Sequence, residues 1–176
     1  MRKIVVSDIH GSIDSVEHLL DAMKFHHIHQ VLALGDFLYH GPRNPIPEHY
    51  APKEVIAVLN TLSIQAVRGN CDAEVDQMML NFPIMDTVKY LQVGNRQCAM
   101  THGHIISPDH PVENADMILF GHVHLPIAKK EKDLIILNPG SITLPKENNP
   151  RTYAVLDDHS FTIYTLDHQI FASIEF

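Results

Sequence analysis

The sequence predicts an α/β fold with a mixed β-sheet, and two observations indicate it. In the first half of the 176 residues, short apolar runs typical of buried strands alternate with segments in which apolar residues recur every three or four positions, as in amphipathic helices. In the second half, strand-like runs follow one another with turns between them. The length is that of one domain, so we expect residues 1–176 to form a single domain.

The chain opens with a predicted strand over residues 3–7, followed by a loop and an amphipathic helix. Ser12 or Asp14 is expected to cap that helix, and Glu17 lies three residues after Asp14, as in a capping box. A second apolar strand is predicted over residues 31–34.

A stretch rich in proline and glycine covers residues 37–52, directly after the second strand. So many residues that interrupt helices and strands predict a long ordered loop or lid. A helix from residue 52 to about residue 62 and a strand over residues 64–68 follow. This alternation of strands and helices is typical of a βαβ beginning.

The second half begins with a predicted hairpin, in which Gly94 and Asn95 join strands over residues 87–93 and 96–101. Cys98, within the second of these strands, is interpreted as a small core residue. Five further strands are predicted over residues 117–120, 134–137, 153–156, 161–166 and 170–176. We expect the apolar last strand either to close the core or to pack against a second subunit in a homo-oligomer.

Composition and charge argue against a nucleic-acid-binding, membrane-spanning or disulfide-rich protein. There are 13 Lys and Arg against 21 Asp and Glu, and the formal net charge is -8, so the chain lacks the basic footprint that binds large nucleic acids. No run approaches the roughly 18 apolar residues of a membrane span, and because the first predicted strand begins at residue 3 we expect no export signal. The two cysteines are too few for a disulfide framework, and we expect a cytoplasmic protein.

Polar residues that can ligate a metal follow the predicted strands, each at a strand end or beside a glycine. In α/β folds the ends of the strands and their loops gather ligands, so these side chains are expected to converge on one site. The candidates are Asp8, His10, Asp36, Asn70, His102, His104, His122 and His124.

Carboxylate, amide and imidazole groups form a mixed oxygen and nitrogen set that suits Mn, Fe, Zn, Co or Ni. Two metals held close together need a bridging ligand, and Asp36, alone at its strand end, is the candidate bridge. Each short pattern alone recurs by chance, a lone histidine is more often a satisfied core or surface group, and the neighbouring glycines also serve turns. The ordered set is what favours a metal site.

In order and spacing, this set resembles the calcineurin-like metallophosphoesterase family. The segments that carry the resemblance are Asp8-Ile9-His10, Gly35-Asp36, Gly69-Asn70-Cys71-Asp72, Thr101-His102-Gly103-His104 and Gly121-His122-Val123-His124. Residues 36–44, residues 68–77 and Asn138-Pro139-Gly140-Ser141 are similar to a bacterial phosphodiesterase of this family, which extends the similarity over nearly the whole chain.

The resemblance implies a four-layer α/β/β/α sandwich of two mixed sheets and a site for two divalent metal ions, with manganese the first expectation. It also implies that a hydroxide bridging the metals attacks phosphorus in line. One metal would be held by Asp8, His10, Asp36 and His124, and the other by Asp36, Asn70, His102 and His122.

One departure concerns proton donation to the leaving group. Many members of the family carry histidine where this chain has Cys71, and a thiol is a weaker acid at neutral pH. Cys71 could act as a weak acid or only line the pocket, and His40 or His104 could assist instead. On the lid, Arg43 could contact phosphate and Asn44 or His40 could close over substrate; the alternative is a purely structural loop.

The resulting hypothesis is a metal-dependent phosphodiesterase acting on small phosphodiesters, with Asp36, Asn70, His102, His40 and Cys71 as catalytic candidates. A phosphomonoesterase or nucleotide phosphatase with the same two metals is the first alternative. A non-catalytic scaffold that keeps the fold is the second, and the presence of all seven predicted ligands argues against it.

Overall fold

The structure is a computed structural model that describes residues 2–176. The helices are α1 Ile13–His26, α2 Pro52–Leu59 and α3 Glu74–Met79. The strands are β1 Lys3–Val6, β2 Gln30–Ala33, β3 Ser63–Ala66, β4 Val88–Val93, β5 Arg96–Thr101, β6 Met117–Leu119, β7 Pro126–Glu131, β8 Leu134–Pro139, β9 Thr152–Leu156, β10 Ser160–Thr165 and β11 Ile170–Glu175.

The strands form two mixed sheets, which confirms the predicted α/β class. The first sheet has the order β11-β10-β9-β1-β2-β3, with β1, β2 and β3 parallel and β9 to β11 antiparallel. The second has the order β4-β5-β6-β8-β7, in which β5, β6 and β8 run parallel between antiparallel edges. The parallel strands of each sheet point their carboxyl ends to one edge, where loops can gather functional side chains.

The sheets pack face to face around one apolar cluster, and α1 and α2 cover the outer face of the first sheet around another. Val5 and Leu32 from the first sheet meet Met100 and Leu137 from the second between the sheets. Over the outer face of the second sheet, the fourth layer is built from loop residues such as Ile106. Burial of these apolar side chains is the main stabilising contribution to the layered fold.

The N-terminal cap of α1 is Ser12, whose side-chain oxygen accepts a hydrogen bond from the Ser15 backbone N–H. The alternative capping box of Asp14 and Glu17 is wrong, because α1 begins at Ile13 and Asp14 lies inside its first turn. Asp14 instead pairs with a guanidinium nitrogen of Arg151 at 2.7 Å.

The hairpin of β4 and β5 turns at Gly94 and Asn95 as predicted, and Cys98 is buried in β5. β7 and α3 have no counterpart among the predicted elements. β7 begins with a proline and ends in charged, exposed residues, so it lacks the apolar alternation of a half-buried strand. α3 is short and buries no residue, which leaves no apolar stripe to find.

The last strand is only partly a core element. β11 is an edge of the first sheet; Ala172 and Ile174 pack against the core between the sheets, whereas Ile170 and Phe171 are exposed. Packing of this edge against a second subunit stays a prediction. Within the described residues, no helix is long and apolar enough to cross a membrane.

Candidate metal centre

The predicted metal ligands all follow the carboxyl ends of strands. Asp8 comes after β1, Asp36 after β2 and Asn70 after β3, so the parallel part of the first sheet presents them at one edge. His102 follows β5 and His122 and His124 follow β6 in the second sheet. Because the two sheets pack together, their loops meet above the same end of the core.

Five of the predicted ligands adopt a backbone conformation that is uncommon outside glycine. Positive φ angles, which residues other than glycine rarely adopt, occur at Asp8 (60°), His10 (50°), Asp36 (59°), His122 (67°) and His124 (59°). Such a conformation costs on the order of 1 kcal/mol or more at each residue and persists where the surroundings require it. Its concentration on five of the seven predicted ligands, all of them in the described part of the chain, indicates a functional site.

Asp8 lies at the centre of the first group of ligand atoms. His124 Nε2 is 3.2 Å and His10 Nε2 is 3.9 Å from Asp8 Oδ1, and the two Nε2 atoms are 3.4 Å apart. Asp8 and His10 are fully buried and His124 is nearly so. These three residues can place one ligand atom each within 4.8 Å of one another.

Asp36 links this group to a second one. Its Oδ2 lies 3.8 Å from His10 Nε2 and 3.4 Å from His102 Nε2, while His102 Nε2 lies 3.0 Å from Asn70 Oδ1. Asp8, Asp36 and His102 also bring ligand atoms within 4.8 Å of one another. One oxygen of Asp36 therefore faces both groups, which is the position expected of a bridging carboxylate.

The other ring nitrogen of each buried imidazole faces a backbone carbonyl. His10 Nδ1 is 2.8 Å from the Tyr39 oxygen, His102 Nδ1 is 2.6 Å from the Leu34 oxygen, and His124 Nδ1 contacts the Leu144 oxygen. A carbonyl can only accept, so Nδ1 carries the proton in each ring. Nε2 is then the nitrogen that faces the site, where it can bind a metal ion in place of a second proton, as in metal-ligating histidines.

This arrangement fits a divalent cation. The lone pairs of the His10 and His124 Nε2 atoms face each other beside Asp8 Oδ1, and within residues 2–176 that buried oxygen has no hydrogen-bond partner. Electron pairs in such contact repel unless positive charge lies between them. The mixed donor set of carboxylate, imidazole and amide is the one that transition-metal dications prefer.

The pKa shifts of the buried groups also indicate that the site favours positive charge. Burial alone would raise the pKa of Asp8, but the His124, His102 and His10 imidazoles outweigh burial and hold it well below its usual range. Burial would lower the pKa of His102, but Asp36 and Asp8 outweigh it and raise it to about 9. The buried carboxylates thus stabilise a cationic neighbour.

His122 is less closely placed. Its ring packs on that of His102 with centroids 5.1 Å apart, and its backbone N–H donates to Asp8 Oδ2 at 3.2 Å. Burial, followed by the His102 charge, lowers its pKa to about 4, which keeps the imidazole neutral. The structure does not bring its ring nitrogens into the close groups around Asp8 and Asp36, so its ligation stays a prediction.

Cys71 lies at the site and keeps its proton. Its sulfur falls within 4.8 Å of ligand atoms of His10 and Asp36 and accepts a hydrogen bond from Asn70 Nδ2 at 3.2 Å. Burial, and then the Asp36 charge, raises the pKa of the thiol to about 12. The predicted role as a weak acid is compatible with a thiol that stays protonated.

His40 and His104 each have a buried Nδ1 without a hydrogen-bond partner among the described residues. The His104 ring lies 5.3 Å from the ring of His102 and 6.1 Å from that of His122. The His40 ring packs edge-on against Tyr39 and Tyr50, and neither His40 nor His104 belongs to the lining of the cleft above the site. Of the two, His104 is the better placed to reach the site.

A cleft of about 820 Å³ opens above the site. Asp36, Asn70, His122 and His124 belong to its lining. The predicted lid forms neither helix nor named strand over residues 37–51, and Pro52 begins α2. The lid contributes residues 39 and 41–44 to the same cleft. A cleft of this size accommodates a small organic ligand.

Asp72 holds the loops after β2 and β3 together, a role not predicted from the sequence. Its carboxylate accepts hydrogen bonds from the backbone N–H groups of Asp36 (2.9 Å), Phe37 (2.8 Å) and Gly69 (2.7 Å). Burial, with the Asp36 charge adding to it, raises the pKa of Asp72 to about 6. A Cβ on Gly69 would lie 2.1 Å from Asp36 Oδ1, so only glycine fits there.

The segment from Asn138 to Leu144 braces the other side of the site. The Ser141 hydroxyl donates to the Asp8 carbonyl at 3.2 Å and accepts from the Leu144 N–H at 2.8 Å. Leu144 in turn supplies the carbonyl that orients His124. Asn138 Nδ2 donates to the Gly121 carbonyl at 2.9 Å. In the sequence, residues 138–141 stand out only by their resemblance to the family, since a contact across 133 positions leaves no local signal.

Comparison with known proteins agrees with this geometry. Residues 1–160 match the model of the calcineurin-like phosphoesterase superfamily domain. The chain belongs to that family. It is 40% identical over 173 residues to phosphodiesterase YfcE of Escherichia coli (strain K12), covering 96% of this chain and 94% of the relative.

Solved structures extend the comparison. The YfcE phosphoesterase of E. coli superposes with a TM-score of 0.96 at 38% identity, covering 99% of both chains. Vps29 of Entamoeba histolytica, solved in complex with zinc, matches with a TM-score of 0.67 at 22% identity over 99% of both chains, which shows the fold alone. As a member of the family, the chain is a hydrolase of phosphoester bonds that uses divalent metal ions.

Proposed function

We propose that this enzyme is a phosphodiesterase that hydrolyses small phosphodiesters with two divalent cations bound at the site. The observation that carries the proposal is the set of imidazole Nε2 atoms that converge on Asp8 and Asp36 with their Nδ1 protons bound to carbonyls. The relative of 40% identity named a phosphodiesterase supports the choice of diesters.

Two overlapping ligand sets are proposed. Asp8, His10, Asp36 and His124 would hold one cation, and Asp36, Asn70, His102 and His122 the other. When bound, the cations supply Lewis acidity and neutralise charge that develops on the phosphoryl oxygens. Manganese is the first candidate, with iron, zinc, cobalt or nickel as alternatives that suit the same donors.

The protein residues orient these donors before substrate arrives. The carbonyls of Tyr39, Leu34 and Leu144 fix the imidazole rings, and the N–H of Cys71 fixes Asp36 by donating to its Oδ1 at 2.8 Å. Donors held in place in this way need no reorganisation during the reaction, which is a main source of catalytic rate.

Hydrolysis of a diester forms one P–O bond to the oxygen of water and breaks one ester P–O bond, and the leaving alcohol takes up a proton. Cys71 is placed at the cleft but gives up its proton poorly, and His104 is the alternative donor. We therefore expect a preference for diesters with acidic leaving groups, such as nitrophenols.

The test is hydrolysis of bis-p-nitrophenyl phosphate and p-nitrophenyl phosphate with and without added Mn, Co, Ni, Zn or Fe. Asp36→Asn is the informative variant, because it removes the charge yet keeps an oxygen for the Cys71 N–H. Asp133→Asn, on an exposed turn, is the control.

Wild type and the control should cleave the diester faster than the monoester in a metal-dependent reaction. Asp36→Asn should lose at least about 100-fold in kcat, since loss even of a ligand's supporting partner often costs that much. A higher kcat/KM on the monoester would make the enzyme a phosphomonoesterase. No turnover with any of the metals would support a scaffold.

A further inference from the structure

Cationic side chains from three separate segments line the cleft above the site. Arg43 comes from the lid, Arg68 from the loop after β3, and Lys146 from the loop after β8. This grouping contrasts with the formal net charge of -8 for the whole chain. A cleft that gathers positive charge on an acidic protein concentrates anionic ligands there.

The lid holds Arg43 close to the metal ligands. The Tyr39 carbonyl is bound by His10 Nδ1 at 2.8 Å, and Asn44 Nδ2 donates to the His40 carbonyl at 2.8 Å. Gly41 packs so closely on Cys71 that an added Cβ would lie 3.0 Å from its sulfur. The segment that carries Arg43 is thus fixed on both sides of this residue.

Lys146 is held on the loop of the metal-ligating histidines. Its backbone N–H donates to the His124 carbonyl at 3.3 Å, and its charge acts on the His124 ring, where it opposes the rise in pKa. Among the described residues, neither Lys146 nor Arg43 has a carboxylate within 4.0 Å. Arg68 differs, because it donates to Glu74 at 3.5 Å and is partly neutralised.

Charge balance indicates what these cations bind. Two divalent cations would supply about four positive charges, and the carboxylates of Asp8 and Asp36 would neutralise two of them. The remaining positive charge is enough to neutralise the single negative charge of a diester phosphate. Arg43 and Lys146 are then in excess of what the reacting group requires. A cleft of about 820 Å³ also exceeds the space that a phosphate group fills and has room for a whole ester arm.

We propose that Arg43 and Lys146 bind a second phosphate group carried on one ester arm of the substrate, so that the preferred substrates are phosphodiesters with an additional phosphate. This inference rests on the proposed phosphodiesterase function. The Arg43 guanidinium supplies the planar pair of donors that matches phosphate oxygens, and Lys146 adds a point charge. The exposed ring of Tyr39 lines the same cleft and offers a surface for the rest of the arm.

The experiment compares two substrates with the same leaving group. One is thymidine 5′-(p-nitrophenyl phosphate), and the other is the same ester with a 3′-phosphate. In wild type the 3′-phosphate should raise kcat/KM about 10-fold, mainly through KM, and high salt should weaken the gain. Arg43→Gln and Lys146→Gln should each reduce this ratio at least about threefold, since each removes one charge from the subsite. Lys130→Gln, on an exposed strand of the second sheet, should leave the ratio unchanged.

Equilibrium binding provides a second measurement. Calorimetry in the presence of Mn should show that wild type binds thymidine 3′,5′-bisphosphate more tightly than thymidine 5′-phosphate, and that both variants lose this difference. The proposed phosphate subsite would be wrong if wild type had equal kcat/KM for the two esters. It would also be wrong if both variants kept the higher kcat/KM for the ester with the 3′-phosphate. Failure of wild type to cleave bis-p-nitrophenyl phosphate would instead overturn the proposed function.

Discussion

At the scale of single residues, the site depends on which nitrogen of each imidazole carries the proton. The carbonyls of Tyr39, Leu34 and Leu144 decide this for His10, His102 and His124. A histidine without such a partner would divide its population between tautomers and bind a metal less tightly. The residues that position the carbonyls therefore act on metal affinity without touching the metal.

Ser141 is the residue that tests this reasoning. Ser141→Ala removes the hydroxyl that joins the Asp8 carbonyl to the Leu144 N–H. We expect Mn affinity to fall about 10- to 100-fold, as for other partners of metal ligands, and the free energy of unfolding to fall by about 1–3 kcal/mol. Calorimetric titration with Mn measures the first, and denaturant unfolding measures the second.

Ser63→Ala is the matched control, because Ser63 is exposed on the edge strand β3. An unchanged Mn affinity in Ser141→Ala, together with a normal free energy of unfolding, would show that the segment from Asn138 to Leu144 does not support the site.

At the scale of elements, the loops after β2 and β3 must approach each other closely for Asp36 to face both ligand groups. Gly69→Ala would place a Cβ 2.1 Å from Asp36 Oδ1, and neither backbone can move freely because Asp72 binds both loops. We expect this variant to lose at least about 10-fold in Mn affinity and to unfold more easily, since strained close packing costs roughly 1–3 kcal/mol.

Calorimetry and thermal unfolding of Gly69→Ala check that expectation. Retention of both Mn affinity and the unfolding midpoint would mean that the two loops can separate without consequence, contrary to the close packing described above.

Much of the element order follows from the sequence, and the reasons for the exceptions are physical. The alternation of apolar runs predicts β1, α1 and β2, and Gly94 with Asn95 predicts the hairpin of β4 and β5. β7 escapes prediction because an exposed edge strand needs no apolar alternation. The capping box at Asp14 fails because α1 begins at Ile13 with Ser12 as its cap, and Asp14 instead pairs with the distant Arg151.

The site, like the fold, could be predicted from the sequence only in part. Its residue types and their places at strand ends could be predicted, and the structure brings Asp8, His10, Asp36, His102 and His124 together. The positive φ angles, the imidazole tautomers and the bracing by Asp72 and Ser141 could not, because they arise from contacts between distant segments. His122 stays less closely placed, and His40 does not line the cleft.

At the scale of the whole molecule, a chain of hydrogen bonds joins α1 to the strands of the first sheet. Asp21 can only accept, so His168 Nε2 donates to it at 2.9 Å; Tyr153 then donates to His168 Nδ1 at 2.9 Å and accepts from His26 Nε2 at 2.8 Å. Each of these three hydrogen bonds then has one donor and one acceptor, with both histidines neutral. Because neutral His26 already donates its Nε2 proton to Tyr153, an added proton goes to Nδ1 and places a charge on a buried ring.

Burial, with Arg2 and His168 adding to it, lowers the pKa of His26 below its usual value of about 6.5. The unfolded chain therefore binds more protons, so stability is fully present above about pH 6.5 and is lost as the pH falls through the lowered folded value. His26→Gln keeps a donor for Tyr153 without titrating. We expect this variant to lose less unfolding free energy than wild type between about pH 7.5 and about pH 5.5.

Denaturant unfolding at the two pH values measures the difference, with His29→Gln as an exposed control. Equal losses in wild type and His26→Gln would show that His26 titrates in the folded protein as it does in the unfolded chain.

Calorimetric titration of the metal-free protein with Mn is the decisive experiment for the proposed site, in which Asp36 would be shared by two divalent cations. We expect two ions per chain for wild type. For Asp36→Asn we expect weaker binding of both ions, because one oxygen of Asp36 faces both ligand groups. A wild type that binds no ion or a single ion, or an Asp36→Asn variant that binds Mn as tightly as wild type, would contradict this proposal.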